Sequence, residues 1–211
     1  MKIKYAILFG VVLWIALIVG GEVSLLRYDY TPSSPTHSPL KWPADSQIKP
    51  VLDRPTLLMF IHPKCPCSRA SIGELSRLMT LCQGKLAAHV LFVRSSVVSE
   101  KWTKTDLWEN AIHIPGVQVS EDIDGKEAER FHSIASGHVL LYSQKNQLLF
   151  SGGITGSRGH FGDNDGRKMV EMLVIDKMTT ESPKIFPVFG CFLKAQARVV
   201  DAINKEIKQY D

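Results

Sequence analysis

The sequence predicts an α/β domain, a central mixed sheet flanked by helices, preceded by one N-terminal transmembrane helix. Three observations predict it. An uncharged apolar run opens the chain, from Tyr5 to Gly21. A strand-length apolar run, Thr56 to Ile61, leads into an amphipathic helical stretch and then a second apolar run, Val90 to Val93. Two more short runs, His138 to Tyr142 and Gln147 to Phe150, flank the turn-forming tetrapeptide Ser143-Gln144-Lys145-Asn146.

The 17 uncharged residues from Tyr5 to Gly21, apolar throughout from Ala6 to Val19, would span about 26 Å as a helix, slightly less than the ~30 Å hydrocarbon core, and Val23, Leu25 and Leu26 can extend it. Lys2 and Lys4 precede it, so the positive-inside tendency puts the N-terminus in the cytoplasm and the remainder outside. Val19-Gly20-Gly21 offers the competing reading of a cleaved signal peptide; the run is longer than an ordinary signal core, which favours a retained anchor. Either way the domain is exported. Set apart from those two lysines, 23 basic residues face 21 acidic ones, a balance that gives no electrostatic case for nucleic acid.

The expected division is an anchor over 1–27, a Pro- and Ser-rich linker over 28–55 that acts as a spacer, and a domain over 56–211. With 45% apolar residues the chain builds one core. Within the domain, Thr56 to Ile61 reads as a buried strand stopped by His62-Pro63. Ile72, Leu75, Leu78, Met79 and Cys82 recur at helical spacing and predict a helix from about Pro66 to Cys82, with Gly84 past its end. Val90 to Val93 closes a strand–helix–strand unit, whose strands are parallel and whose crossover is right-handed. Residues 103–113 and 125–135 read as short helices around a small strand at Val117-Gln118-Val119. The two later runs make an antiparallel hairpin, followed by a Gly-rich loop from Gly152 to Gly166, an apolar-periodic stretch from Lys168 to Met178 and a Pro-containing loop. A closing helix carries Leu193, Ala197, Val200, Ile203 and Ile207 on one face.

Chemistry concentrates in His62-Pro63-Lys64-Cys65-Pro66-Cys67-Ser68. Cys65 and Cys67 stand where a strand ends and a helix starts, and there the unpaired N–H groups and the helix dipole favour a thiolate. Lys64 and Arg69 add positive charge, and Pro66 suits the first helical position. A disulfide inside three residues is a strained ring that gains little from loop closure, so a purely structural role is the weaker reading. Cys82 falls on the apolar stripe and reads as a buried structural thiol. Cys191, after Phe186-Pro187-Val188-Phe189-Gly190, reads first as a buried free thiol, with a resolving cysteine or third metal ligand as the alternative.

A strand of the type Leu58-Met59-Phe60-Ile61 leading into a cysteine motif that opens a long helix resembles the thioredoxin-like superfamily, over about residues 50–178. The pattern departs from that superfamily in its one-residue cysteine gap and in having Ser136-Gly137-His138 where the family carries a proline. The strings His62 to Ala70, Ser136 to Tyr142, Phe150 to Thr155 and Val188 to Cys191 look like the bacterial RedB-like proteins. The resemblance implies a single-pass protein of the bacterial inner (cytoplasmic) membrane with its C-terminal domain on the outer, periplasmic side.

In the thioredoxin arrangement His138 and the loop after Phe150 face Cys65 and Cys67, which puts Arg158 in place to stabilise a thiolate and His160 to transfer a proton. The expected catalytic set is therefore Cys65, Cys67, His160 and Arg158, acting as a thiol–disulfide oxidoreductase on extracytoplasmic protein thiols. A partial similarity to Sco-type copper chaperones implies the alternative, Cu(I) held by Cys65, Cys67 and His138 for a copper-receiving protein. Asp163-Asn164-Asp165 is too compact for a calcium loop.

Overall fold

The structure is a computed structural model that describes residues 2–34, 36–176, 178 and 180–193. The closing helix expected beyond Leu193 lies outside the described residues. The chain divides into two compact units, 1–31 and 32–211. The first is one helix, α1 (Lys2–Tyr30), of which Ile3–Tyr30 is long and apolar enough to cross a membrane, with none of it buried.

In the second unit the elements run β1 (Thr56–Ile61), α2 (Cys67–Leu81), β2 (Ala87–Arg94), α3 (Asp106–Ile112), β3 (Val117–Ile123), α4 (Lys126–Arg130), β4 (His138–Tyr142), β5 (Leu148–Gly153), α5 (Asp165–Ile175) and β6 (Lys184–Ile185). A short 3-10 turn at Glu100–Trp102 precedes α3. The six strands form one sheet in the order β3-β2-β1-β4-β5-β6, with β1, β2 and β3 parallel, β4 antiparallel to both β1 and β5, and β6 parallel to β5. The expected mixed sheet flanked by helices is thus present. β1 occupies the span read from its apolar run, and every one of its residues is buried.

Alternation along the strands separates two cores. Leu57, Met59, Ile61, Val139 and Leu141 face α2 and α5, where Ile72, Leu75, Leu78, Val170 and Leu173 pack on them. Leu58, Phe60, Leu140 and Tyr142 face the other way, onto Ala128, Phe131 and Leu193. The hairpin extends further than its apolar signal. Ser151, Gly152 and Gly153 continue β5, paired with Leu140, Val139 and His138, so the loop expected from Gly152 begins two residues later.

The Pro-rich stretch expected to serve as a spacer is bonded along the domain over residues 38–48. Trp42 packs edge-on against Phe131 and Tyr142, the Tyr142 hydroxyl donates to the Pro39 carbonyl at 2.8 Å, and the Ser46 hydroxyl donates to Glu127 at 2.7 Å.

Candidate functional site

β1 ends at Ile61, and four residues later Cys65 sits in a tight turn in which its N–H donates to the His62 carbonyl at 3.1 Å. Pro66 caps α2 with φ −57° and ψ −34°, so the proline stands one position before the helix and Cys67 is its first residue. The first N–H groups have no carbonyl four residues back within the helix, and this end of α2 favours negative charge. Ser68 is turned inward. Its hydroxyl lies 2.7 Å from that of Ser136, which accepts the His62 N–H at 2.8 Å. The Cys motif is thereby fixed to the residue that precedes β4 by two.

A third sulfur completes the site. After β6 the chain turns across the end of the sheet. The Gly153 N–H donates to the Pro187 carbonyl at 3.0 Å, the Ser136 N–H to the Cys191 carbonyl at 2.8 Å, and the Leu193 N–H to the Ile134 carbonyl at 2.9 Å. Gly190 makes this approach possible, because a Cβ there would lie 1.8 Å from the Ser136 carbonyl oxygen. The result places the Cys191 Sγ 2.9 Å from that of Cys65, with all three sulfurs of Cys65, Cys67 and Cys191 within 4.8 Å of one another. Cys65 and Cys67 are 2% and 7% exposed, while Cys191 is half-buried.

Mutual hydrogen bonding shifts the three thiols in opposite directions. The hydrogen bond with Cys191, and secondarily that with Cys67, hold Cys65 far below the ordinary thiol range against the opposing effect of burial. Cys191 is driven up by its hydrogen bonds to Cys65 and Cys67. For Cys67, the hydrogen bond with Cys191 lowers the value, but the bond to Cys65, burial and the Cys65 charge together raise it, with Arg158 opposing. Cys65 is therefore the most acidic of the three, and Cys67 and Cys191 are shifted the other way.

The other expected residues divide. Arg158 bears on Cys67 through its charge. His160 is exposed, and its Nδ1 donates to the Arg158 carbonyl at 3.0 Å, a bond that stays inside its own loop. That loop is tied to α2: the Gly162 N–H donates to the buried carboxylate of Glu74 at 2.6 Å, and Arg167 meets the same carboxylate at 2.8 Å.

His138 does not join the sulfurs, contrary to the copper alternative read from sequence. Its parity puts it on the Leu140 and Tyr142 face, away from α2. There it is 3% exposed, with Nδ1 3.1 Å from the Ser133 hydroxyl and Nε2 3.0 Å from the Ser151 hydroxyl. Burial pushes it down to about 4, so it is a neutral imidazole between two serines. Arg69, expected to add charge beside the cysteines, is paired at the surface with Asp106. Lys64 instead lies 5.4 Å above the Trp102 ring, whose plane the His62 ring meets edge-on.

Sequence reasoning ranked Cys191 as a bystander. The signal that could have found it is Gly190, a residue without a side chain directly before a cysteine in an otherwise apolar loop.

No protein-family model and no curated protein matches the sequence. Among solved structures, the domain is similar to a hypothetical protein of Sinorhizobium meliloti 1021, with 17% identity over 69% of this chain and 82% of that one and a TM-score of 0.54. An uncharacterized conserved protein of Geobacillus kaustophilus aligns at 17% identity over 67% of this chain and 77% of that one, with a TM-score of 0.52. Likeness at such identity bears on the fold alone. Taken with the strand order and a cysteine pair at the junction of β1 and α2, the second unit has a thioredoxin-like fold.

Proposed function

We propose that this chain is a membrane-anchored, extracytoplasmic thiol–disulfide oxidoreductase similar to the bacterial RedB-like proteins. In this reading α1 anchors it in the inner membrane as a single pass. Residues 56 onward form the exported domain, with 28–55 joining the two. Its partners are extracytoplasmic protein thiols.

One observation carries the reading: the buried sulfur of Cys65 lies at a helix N-terminus, which lowers a thiol's pKa, with a second sulfur in contact at 2.9 Å. Cys65 attacks a sulfur of a partner disulfide, forming a mixed disulfide and releasing the partner's other sulfur as a thiolate. The expected catalytic set paired Cys65 with Cys67. Cys191 is the better placed, because it touches Cys65 and its bridge closes no three-residue ring. Once it loses its proton, Cys191 displaces the partner's remaining sulfur, leaving a Cys65–Cys191 disulfide and a partner reduced by two electrons. The reverse sequence oxidises a partner dithiol. Cys67 supports the Cys65 thiolate as a donor, and Arg158 moderates the charge beside it. His160 keeps no role in this scheme, since its hydrogen bond lies within its own loop.

The test is a redox titration of the full-length chain in detergent, metal-free, in glutathione buffers. Each poise is quenched by acid and alkylation, and the bridges are mapped by mass spectrometry. We expect one reversible two-electron couple above the roughly −300 mV of structural disulfides, with Cys65 in the bridge, and its loss in Cys65→Ser. Three sulfurs that stay reduced across the whole range would sink the reading.

A further inference from the structure

We propose that Cys65, Cys67 and Cys191 form a three-sulfur binding site for Cu(I). The inference goes beyond thiol exchange and does not depend on it. Three thiol sulfurs from two separate segments, the β1–α2 turn and the arm after β6, converge within 4.8 Å of one another. Sulfurs arranged as a triangle around one ion at the ~2.3 Å of a metal–thiolate bond lie about 4 Å apart, so the group closes on a metal with little movement.

The donor set selects the ion. Thiolates favour Cu(I), zinc and iron–sulfur clusters over hard cations. Structural zinc takes four ligands in a tetrahedron, and iron–sulfur clusters take four cysteines. Among the described residues no imidazole or carboxylate belongs to the group. His62, in the same loop, accepts the Lys64 N–H at 3.3 Å through Nδ1 and sets its ring against Trp102. His138 faces two serines on the other side of the sheet. A trigonal three-thiolate site without a fourth ligand suits the soft monovalent ion.

The surroundings suit it as well. Two of the sulfurs are almost fully buried, and the third is carried by backbone tied to Ser136. The negative charge that three thiolates leave around a +1 ion lies at the N-terminus of α2, with Arg158 nearby. Binding is a ligand exchange without electron transfer: Cu(I) stays Cu(I), three S–Cu bonds form, and the thiol protons pass to solvent.

The experiment uses the full-length chain in detergent, reduced and stripped of metal, titrated with Cu(I) against bathocuproine disulfonate. X-ray absorption of the loaded protein counts the sulfur ligands without any substitution. We expect one Cu(I) per chain, three sulfur ligands, and a loss in Cys191→Ser exceeding the ~100-fold that removal of an outer-shell partner costs. Cys82→Ala and His138→Gln should retain the wild-type affinity. Circular dichroism of each apo variant separates ligand loss from misfolding. No retention against the chelator, a two-sulfur site indifferent to Cys191→Ser, or a preference for tetrahedral zinc would each overturn the proposal. Each would leave the metal-free redox titration to judge the oxidoreductase reading by itself.

Discussion

Helix α2 carries a cysteine site at one end and a lone cysteine at the other, and the two environments differ in nearly everything that governs a thiol. At the N-terminal end Cys65 and Cys67 meet the positive end of the helix, inward-turned serines and a third sulfur brought from beyond residue 185. At the C-terminal end Cys82 is 1% exposed in the apolar core with Leu78 and Leu86. There its N–H donates to the Leu78 carbonyl and the nearest helix charge is negative. Burial, followed by repulsion from Glu171, pushes the Cys82 thiol up to about 11, while Cys65, also buried, is pushed down. Burial alone therefore does not set reactivity. The sign of the shift follows from whether hydrogen-bond donors accompany it.

The largest effect expected from this contrast is in alkylation. At pH 7 a thiol raised to about 11 is thiolate in only ~10⁻⁴ of molecules, whereas Cys65 is shifted downward, toward the thiolate. Acidic thiolates are weaker nucleophiles, which gives back part of that factor. Iodoacetamide labelling of the reduced full-length chain, followed by peptide mass spectrometry, should modify Cys65 at least ~100-fold faster than Cys82. Comparable rates at the two ends of α2 would erase the comparison.

A second expected effect concerns His138, a titratable group at the same edge of the sheet that the site does not use. Held at about 4 in the folded protein against an ordinary value near 6.5, it resists protonation while the unfolded chain accepts a proton. Its contribution is complete above pH ~6.5 and is lost as pH falls toward about 4, in total roughly 3 kcal/mol. Urea melts at pH 7 and at pH 4.5 should therefore differ less in His138→Gln than in the parent. An equal pH dependence in both would mean that the imidazole is not held neutral.

His138 also shows how far the site could be read from sequence. The strand-length runs, the period of α2 and the junction between them are local patterns. β1, the hairpin and the cysteine turn followed from them because proline, glycine and turn residues punctuate the apolar runs. Which way His138 points was legible too, since it shares parity with Leu140 and Tyr142, whereas Val139 and Leu141 take the α2 face. The continuation of β5 through Ser151-Gly152-Gly153 was not legible, because no apolar side chain marks it and pairing with β4 alone defines it. Nor was β6, two residues long and held by a neighbour. Cys191 is the clearest case: its place depends on contacts with Ser136 and Ile134, more than fifty residues earlier, and no local period encodes such a contact.

The smallest effect sharpens the contrast from the side of that third sulfur. Gly190 lies against the Ser136 carbonyl so closely that a Cβ must displace one of the two segments, whereas Gly159 has open space around the same position. Gly159 does have a φ of +69°, so Gly159→Ala carries a backbone cost without a collision and controls for strain in general. Gly190→Ala should cost about 1–3 kcal/mol of overpacking, relieved by moving the arm that holds Cys191. Ser136 is held by Ser68 and the His62 N–H, so the arm is the segment that gives way, and α2 and its cysteines stay in place. The expected outcome is selective: Cys65 and Cys67 persist beside each other, disulfide mapping finds less of the Cys65–Cys191 bridge, and Cys82 labels as before. A Gly190→Ala chain whose bridges match those of the parent would mean that the close approach at Ser136 does not position the third sulfur. The two ends of α2 would then differ only by the helix terminus and its donors.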